Sequence, residues 1–320
     1  MKKIISAILT FALGAMLITG CSEKEDNVNI RVGSLSGPTT IGIVNLMDDA
    51  EKGNTANAYE FTVATQPDEV AAMLNNGSID IALIPANLAS VVYNKTSGSI
   101  SVIDINTLGV LYCLSTDESI SSVSDLSGKT VITTGQGATP EYAMNYLLEQ
   151  YGVTDCTLDF RADGQEVIAA LSQGQGDIAI LPQPAATSAC ANVEGMKVAF
   201  SLNEQWDAVT DDSILVTGVT VVRNEFLEEH PLAVEVFLEA HSASAEKALS
   251  DVEGTAALVV AQGIVPAEPV AQKAIPLCNI VCITGEEMKA DLSGYLQTLY
   301  DQNPQAVGGA LPADDFYYVG

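Results

Sequence analysis

The chain has 320 residues, 48% apolar and 17% charged, long enough for two compact domains with real cores and too apolar for a disordered or collagen-like polymer. Thirteen Lys and Arg stand against 41 Asp and Glu, a formal net charge of -28, which repels phosphate backbones and excludes nucleic acid as a partner. Two histidines, His230 and His241, leave almost nothing for a multi-histidine metal centre or a Ser-His triad, so no catalytic residue, metal or cofactor is expected.

The chain opens with Lys2 and Lys3, then an apolar run from Ile4 to Ile18 that closes on Thr19, Gly20 and Cys21. A charged start, a short apolar centre and a small-residue end are the pattern of an export signal. Those fifteen residues reach only about 22 Å at ~1.5 Å each, short of a hydrocarbon layer of about 30 Å, so no spanning helix is expected. Ile18-Thr19-Gly20-Cys21 resembles a bacterial lipobox. Residues 1–20 are therefore expected to be a lipoprotein signal peptide, and Cys21 the lipidated new N-terminus. Residues 21–29, anchor and polar tether, would hold the protein outside the cytoplasm on the bacterial cell membrane, through the lipid alone. Loss of Lys2 and Lys3 leaves 11 basic against 41 acidic residues, a charge of -30.

Further along, Glu69 to Ala89 and Glu166 to Ala186 align without a gap, with ten of twenty-one positions identical. Each copy reads as an amphipathic helix ending at Gly77 or Gly174, where glycine tolerates the left-handed C-terminal conformation. A buried strand follows, Ile79 to Ile84 or Asp177 to Leu181, and Pro85 or Pro182 stops it because proline cannot donate to a ladder. Upstream, Arg31 to Thr40 and Val131 to Pro140 both read as strand, glycine turn and helix start. Thr39 or Thr40 would cap the first helix; Thr139 would cap the second, with Pro140 in its first turn. Two copies about one hundred residues apart mean duplicated α/β lobes and not a solenoid.

The stretches Leu108 to Ser115 and Ser213 to Arg223 read as paired crossovers into the second lobe and back. Leu227 to Leu249, Glu253 to Gln262 and Glu286 to Tyr300 carry apolar residues at helical spacing. Cys113, Cys156, Cys190, Cys278 and Cys282 are odd in number and lack CxxC spacing, which suits buried small hydrophobes; pairing of Cys278 with Cys282 is left open. Asp211-Asp212 and Asp314-Asp315 read as solvated acidic pairs.

Lipobox, two α/β lobes, two crossovers and a helical return together resemble a type II solute-binding protein of an ABC importer. Asp125 to Tyr142, Gly77 to Ala89 and Leu311 to Tyr318 resemble the group that binds nitrate, sulfonates and thiamine precursors. The cysteine-rich pyrimidine-phosphate motif of some thiamine-precursor binders is missing. The resemblance implies a two-lobed type II periplasmic-binding-protein fold, each lobe a mainly parallel sheet flanked by helices, joined by two crossover strands. Lobe 1 would comprise residues 30–112 and 217–320, and lobe 2 residues 113–216.

In open parallel sheets, pockets form outside the carboxyl ends of the strands, where glycine turns and helix N-termini offer backbone donors. The candidate ligand contacts are Ser36, Gly37, Thr39 and Thr40 from lobe 1 and Gln136, Gly137, Ala138 and Thr139 from lobe 2. Asn87 and Gln183 follow the strand-stopping prolines, while Tyr112 and Trp206 could stack on a solute. Arg161 is the arginine best placed for an anion, but none sits in a glycine turn. The expected activity is capture of a small organic solute, neutral, zwitterionic or anionic, and its delivery to ABC permease subunits by a monomer. Two alternatives stand beside it: a sensory or signalling lipoprotein, and an enzyme of the same fold acting on a pyrimidine or carboxylate metabolite.

Overall fold

The computed structural model describes residues 28–210 and 213–320, so the signal, Cys21, most of the tether and Asp211-Asp212 lie outside the described residues. The first half of the chain alternates strand and helix: β1 (Asn29–Leu35), α1 (Pro38–Ile41), α2 (Val44–Glu51), β2 (Ala58–Ala64), α3 (Pro67–Asn75), β3 (Ile81–Pro85), α4 (Ala86–Lys95) and β4 (Ile100–Leu108). After Gly109 and Val110 the pattern restarts with β5 (Leu111–Ser115), β6 (Thr130–Thr133), α5 (Thr139–Gln150), β7 (Thr157–Phe160), α6 (Gly164–Ser172), β8 (Ile178–Pro182), α7 (Ala185–Asn192), β9 (Lys197–Ser201) and α8 (Leu202–Asp207). The return comprises β10 (Val216–Arg223), α9 (Asn224–Glu229), α10 (Pro231–Ser250), α11 (Val252–Ala261), α12 (Glu268–Ala274), β11 (Ile280–Ile283) and α13 (Gly285–Gln302).

Two sheets result, ordered β11-β4-β10-β3-β1-β2 and β7-β6-β8-β5-β9. Read from its far edge, the first runs β2-β1-β3-β10-β4 and the second β7-β6-β8-β5-β9, the same wiring twice. In each, a crossover strand runs against its neighbours: β10 lies antiparallel between β3 and β4, and β5 antiparallel between β8 and β9. The cause is the direction of travel. A chain that leaves β4 at its carboxyl end enters the second sheet from that same edge, so it must run against strands that point toward the edge. Leu111 and Tyr112, grouped by sequence with the first lobe, pair with Pro182 and Leu181 and belong to the second sheet.

The duplicated helices end alike. Gly77 (φ 74°) and Gly174 (φ 69°) adopt the left-handed conformation. The Gly77 and Ser78 N–H groups donate to Leu74 and Met73, while those of Gly174 and Gln175 donate to Leu171 and Ala170. Both are Schellman closures that satisfy carbonyls a helix end would strand. The strands begin one or two residues later than expected, and each ends on its proline. His230 divides the expected long helix into α9 and α10 because Pro231 starts a new one.

One apolar cluster runs through both lobes, from Val70, Leu74 and Ile84 in the first to Val131, Met144 and Ile180 in the second. Its link is aromatic: Trp206 on α8 lies 4.3 Å from Tyr146 on α5 and 6.0 Å from Tyr295 on α13, centroid to centroid. No helix among the described residues is long and apolar enough to cross a membrane. All five cysteines among them are free thiols.

Candidate functional site

Strand register decides which edge of each sheet faces the other lobe. Ser34 pairs with Leu83 and Thr133 with Ile180, so the turns after β1 and β6 lie at the edges where β3 and β8 end. Leu111 opens β5 opposite Pro182, the last residue of β8, and the Gln183 N–H donates to Val110 across 3.0 Å. The carboxyl edges of both sheets therefore meet the Gly109-Val110 crossover, and the glycine turns near residues 37 and 137 sit on them.

The first turn is held by its own backbone. The Ser36 N–H donates to Ala64 at 2.9 Å and the Ile41 N–H to Gly37 at 3.0 Å, with the Ser36 side chain exposed. Gly37, at φ 147°, is the N-cap of α1, and a Cβ there would meet nothing within 4 Å. Thr39 and Thr40, expected to cap, do not. Both hydroxyls turn back to the Leu35 carbonyl, and Thr40 also pairs with Ser34 Oγ at 2.7 Å. The helix they start has only four residues, too few aligned peptides for much of a terminal dipole.

In the second turn Gly135 (φ 75°) and Gly137 (φ 74°) are left-handed, and Gln136 and Gly137 are exposed. The N-cap is Ala138 and not Thr139, which occupies the first helical position with Pro140 next. The Ala138 N–H donates to Gly135, and the Gly137 N–H donates to Glu141 Oε2 at 2.5 Å. Glu141 thus places the chain's own carboxylate on a donor the sequence assigned to a solute. Its signal was a glutamate three residues past the cap, which reaches back beyond the N-cap to Gly137.

The remaining expected contacts serve packing. Thr139 is buried and lies beside the Tyr295 hydroxyl of α13; neither oxygen makes a well-formed hydrogen bond. Burial pushes the Tyr295 phenol up. Trp206 is fully buried and its indole N–H donates to Ser213 at 3.0 Å, so it offers no face to a solute. The Tyr112 hydroxyl donates to the Leu277 carbonyl at 2.9 Å, linking the second sheet to the segment after α12. Burial pushes this phenol up to about 12. Asn87 donates to Ala306 at 3.5 Å, inside its own lobe. Gln183 Oε1 accepts from the Thr187 N–H and hydroxyl at 3.2 and 2.8 Å, capping α7. Its Nε2 is buried without a partner.

None of the three arginines is unpaired. Arg161 is bidentate on Asp159, two residues earlier, and Arg31 and Arg223 converge on Asp80 from β1 and the end of β10. A polar row without a counterpart among the expected contacts runs along β4 and β10. Thr107 donates to Asn106 at 2.8 Å, Asn106 to Thr220 at 3.1 Å, and Thr220 to Asp104 at 2.8 Å. Asp104 and Asn106 inside an otherwise apolar strand were its legible signal. Four surface hollows of about 250 to 490 Å³ exist elsewhere, and no residue of either glycine turn lines them.

Two similarly wired sheets that share two crossovers define the type II periplasmic-binding-protein fold. A model of the family described as NMT1/THI5 like matches residues 60–254, and the chain belongs to that family. No curated protein matches it by sequence. Among solved structures it is similar to an ABC transporter protein from Parabacteroides distasonis, at TM-score 0.78 and 24% identity over 92% of this chain and 99% of that one. It is also similar to the periplasmic aliphatic sulphonate binding protein SsuA of Escherichia coli, at 0.70 and 15% over 89% and 92%. The third is the ligand-binding component of an ABC-type import system from Staphylococcus aureus, at 0.69 and 16% over 91% and 97%.

Proposed function

We propose that this protein is the lipid-anchored, extracytoplasmic binding component of an ABC importer, which takes a small organic solute between its lobes and presents it to permease subunits. The observation that carries the reading is the doubled sheet wiring, with both carboxyl edges turned to one crossover. Membership of the NMT1/THI5-like family and likeness to importer components support it. Ser36 and Gln136, the exposed residues of the two turns, are the first contacts we assign to the solute. No acid–base or nucleophilic constellation is assigned to the cleft; the reading is binding without chemistry. Lobe closure is then a population shift driven by contacts that exist only when both lobes touch the guest.

Native mass spectrometry of protein purified from its own host tests this. A copurifying small molecule whose re-addition reduces the radius of gyration in X-ray scattering is the expected result. Failure of every copurified or candidate solute to compact the molecule overturns it. Palmitate incorporation abolished by Cys21→Ser is expected of the anchor.

A further inference from the structure

We propose that Asp104, His241 and Cys282 form a binding site for a divalent transition-metal ion of the zinc class inside the first lobe. The three residues come from β4, α10 and β11, and their ligand atoms all lie within 4.8 Å of one another. Convergence of carboxylate, imidazole and thiol from three separate elements is a property of the fold and not of local sequence.

The pocket's chemistry is unbalanced as it stands. Asp104 and His241 are fully buried, yet among the described residues no lysine or arginine forms an ion pair with Asp104. Its oxygens accept from the Thr220 hydroxyl at 2.8 Å and meet His241 Nδ1 at 3.0 Å. The other imidazole nitrogen, Nε2, is buried with no hydrogen-bond partner. A buried carboxylate with no lysine or arginine beside it and an imidazole nitrogen without a partner are both costly in a core, and a cation held by the carboxylate relieves the first. The donor set selects its kind: thiolate and imidazole favour zinc over magnesium or calcium, which take oxygen ligands.

The geometry also provides access. Cys282 is half-buried on β11, the outermost strand of the sheet beside β4. An ion entering from this edge would displace the thiol proton to solvent and take a water as fourth ligand. An ion here would clamp β4, β11 and α10 together. Leu277 and Asn279, immediately before β11, hold Tyr112 and the Gly109 carbonyl at the crossover, so the clamp would stiffen the base of the hinge. This proposal does not depend on what the cleft binds.

The test is a Co²⁺ titration of the metal-stripped, lipid-free mature chain at neutral pH. We expect a thiolate-to-cobalt charge-transfer band that saturates at one equivalent and is bleached by one equivalent of Zn²⁺. Cys282→Ser, a small change at a half-buried site, should keep the far-ultraviolet circular dichroism and metal-free melting curve of the wild type. It should lose the band and weaken Zn²⁺ in competition with a chromogenic chelator by roughly tenfold or more. Asp104→Asn provides a second variant, with the same weakening expected. Absence of saturable binding by the wild type, or a band and Zn²⁺ affinity unchanged in folded Cys282→Ser, overturns the proposal.

Discussion

Gly218 shows how tightly the first sheet closes on its polar row. A Cβ at this position would fall 2.5 Å from Asn106 Oδ1 and 2.8 Å from Thr39 Cγ2, and both neighbours are buried. Gly218→Ala is therefore expected to destabilise by about 1–3 kcal/mol through overpacking, read as a lower urea midpoint. Tyr112 gives a pH-dependent case. Its phenol, ordinarily near 10, is pushed up to about 12 by burial, so between those values the folded chain keeps a proton that the unfolded chain releases. The stability it contributes is complete below pH 10 and is lost as pH rises toward 12. Tyr112→Phe strands the Leu277 carbonyl and should cost about 1 kcal/mol at pH 7. The gap to wild type should narrow in urea titrations run from pH 10 to 12, because phenylalanine has no proton to lose.

The twin Schellman closures make the duplication testable at the level of the element. Gly77→Ala and Gly174→Ala each force a side chain into the left-handed region and should cost about 1–2 kcal/mol apiece. The losses should add in the double variant, since the sites lie in different sheets' helices. Asp80 is the joint between β1 and β10, accepting the Arg31 N–H at 3.0 Å and Nε at 2.9 Å and facing Arg223 at 3.6 Å. Asp80→Ala is expected to lower unfolding free energy by about 2 kcal/mol, because charge-assisted bonds are lost at a buried carboxylate. Element order, both prolines and both glycine closures were legible from Glu69–Ala89 and Glu166–Ala186, since backbone punctuation acts locally. The side chains of the expected site were not. Thr39, Thr40 and Trp206 are suitable cap or stacking residues by type, but the neighbours that claimed them, Leu35 and Ser213, were set by tertiary folding or by competing local bonds.

Across the whole molecule, the lobes are coupled through α13. Tyr295 is fully buried and completes the aromatic row with Trp206 and Tyr146. Removing its ring by Tyr295→Ala should cost about 3–5 kcal/mol and uncover Trp206 enough to red-shift its emission in the folded state. The same tryptophan, placed at the contact between lobes and not against the guest, should report relative lobe movement when a solute binds.

The late arrival of β10 also orders events in time. All five strands of the second sheet come from one uninterrupted stretch, Leu111 to Ser201. The first sheet has a gap between β3 and β4 until residues 216–223 arrive. A nascent chain can thus assemble its middle portion while its beginning waits, half-zippered, for a segment more than a hundred residues downstream, a closure whose chain entropy slows the final step.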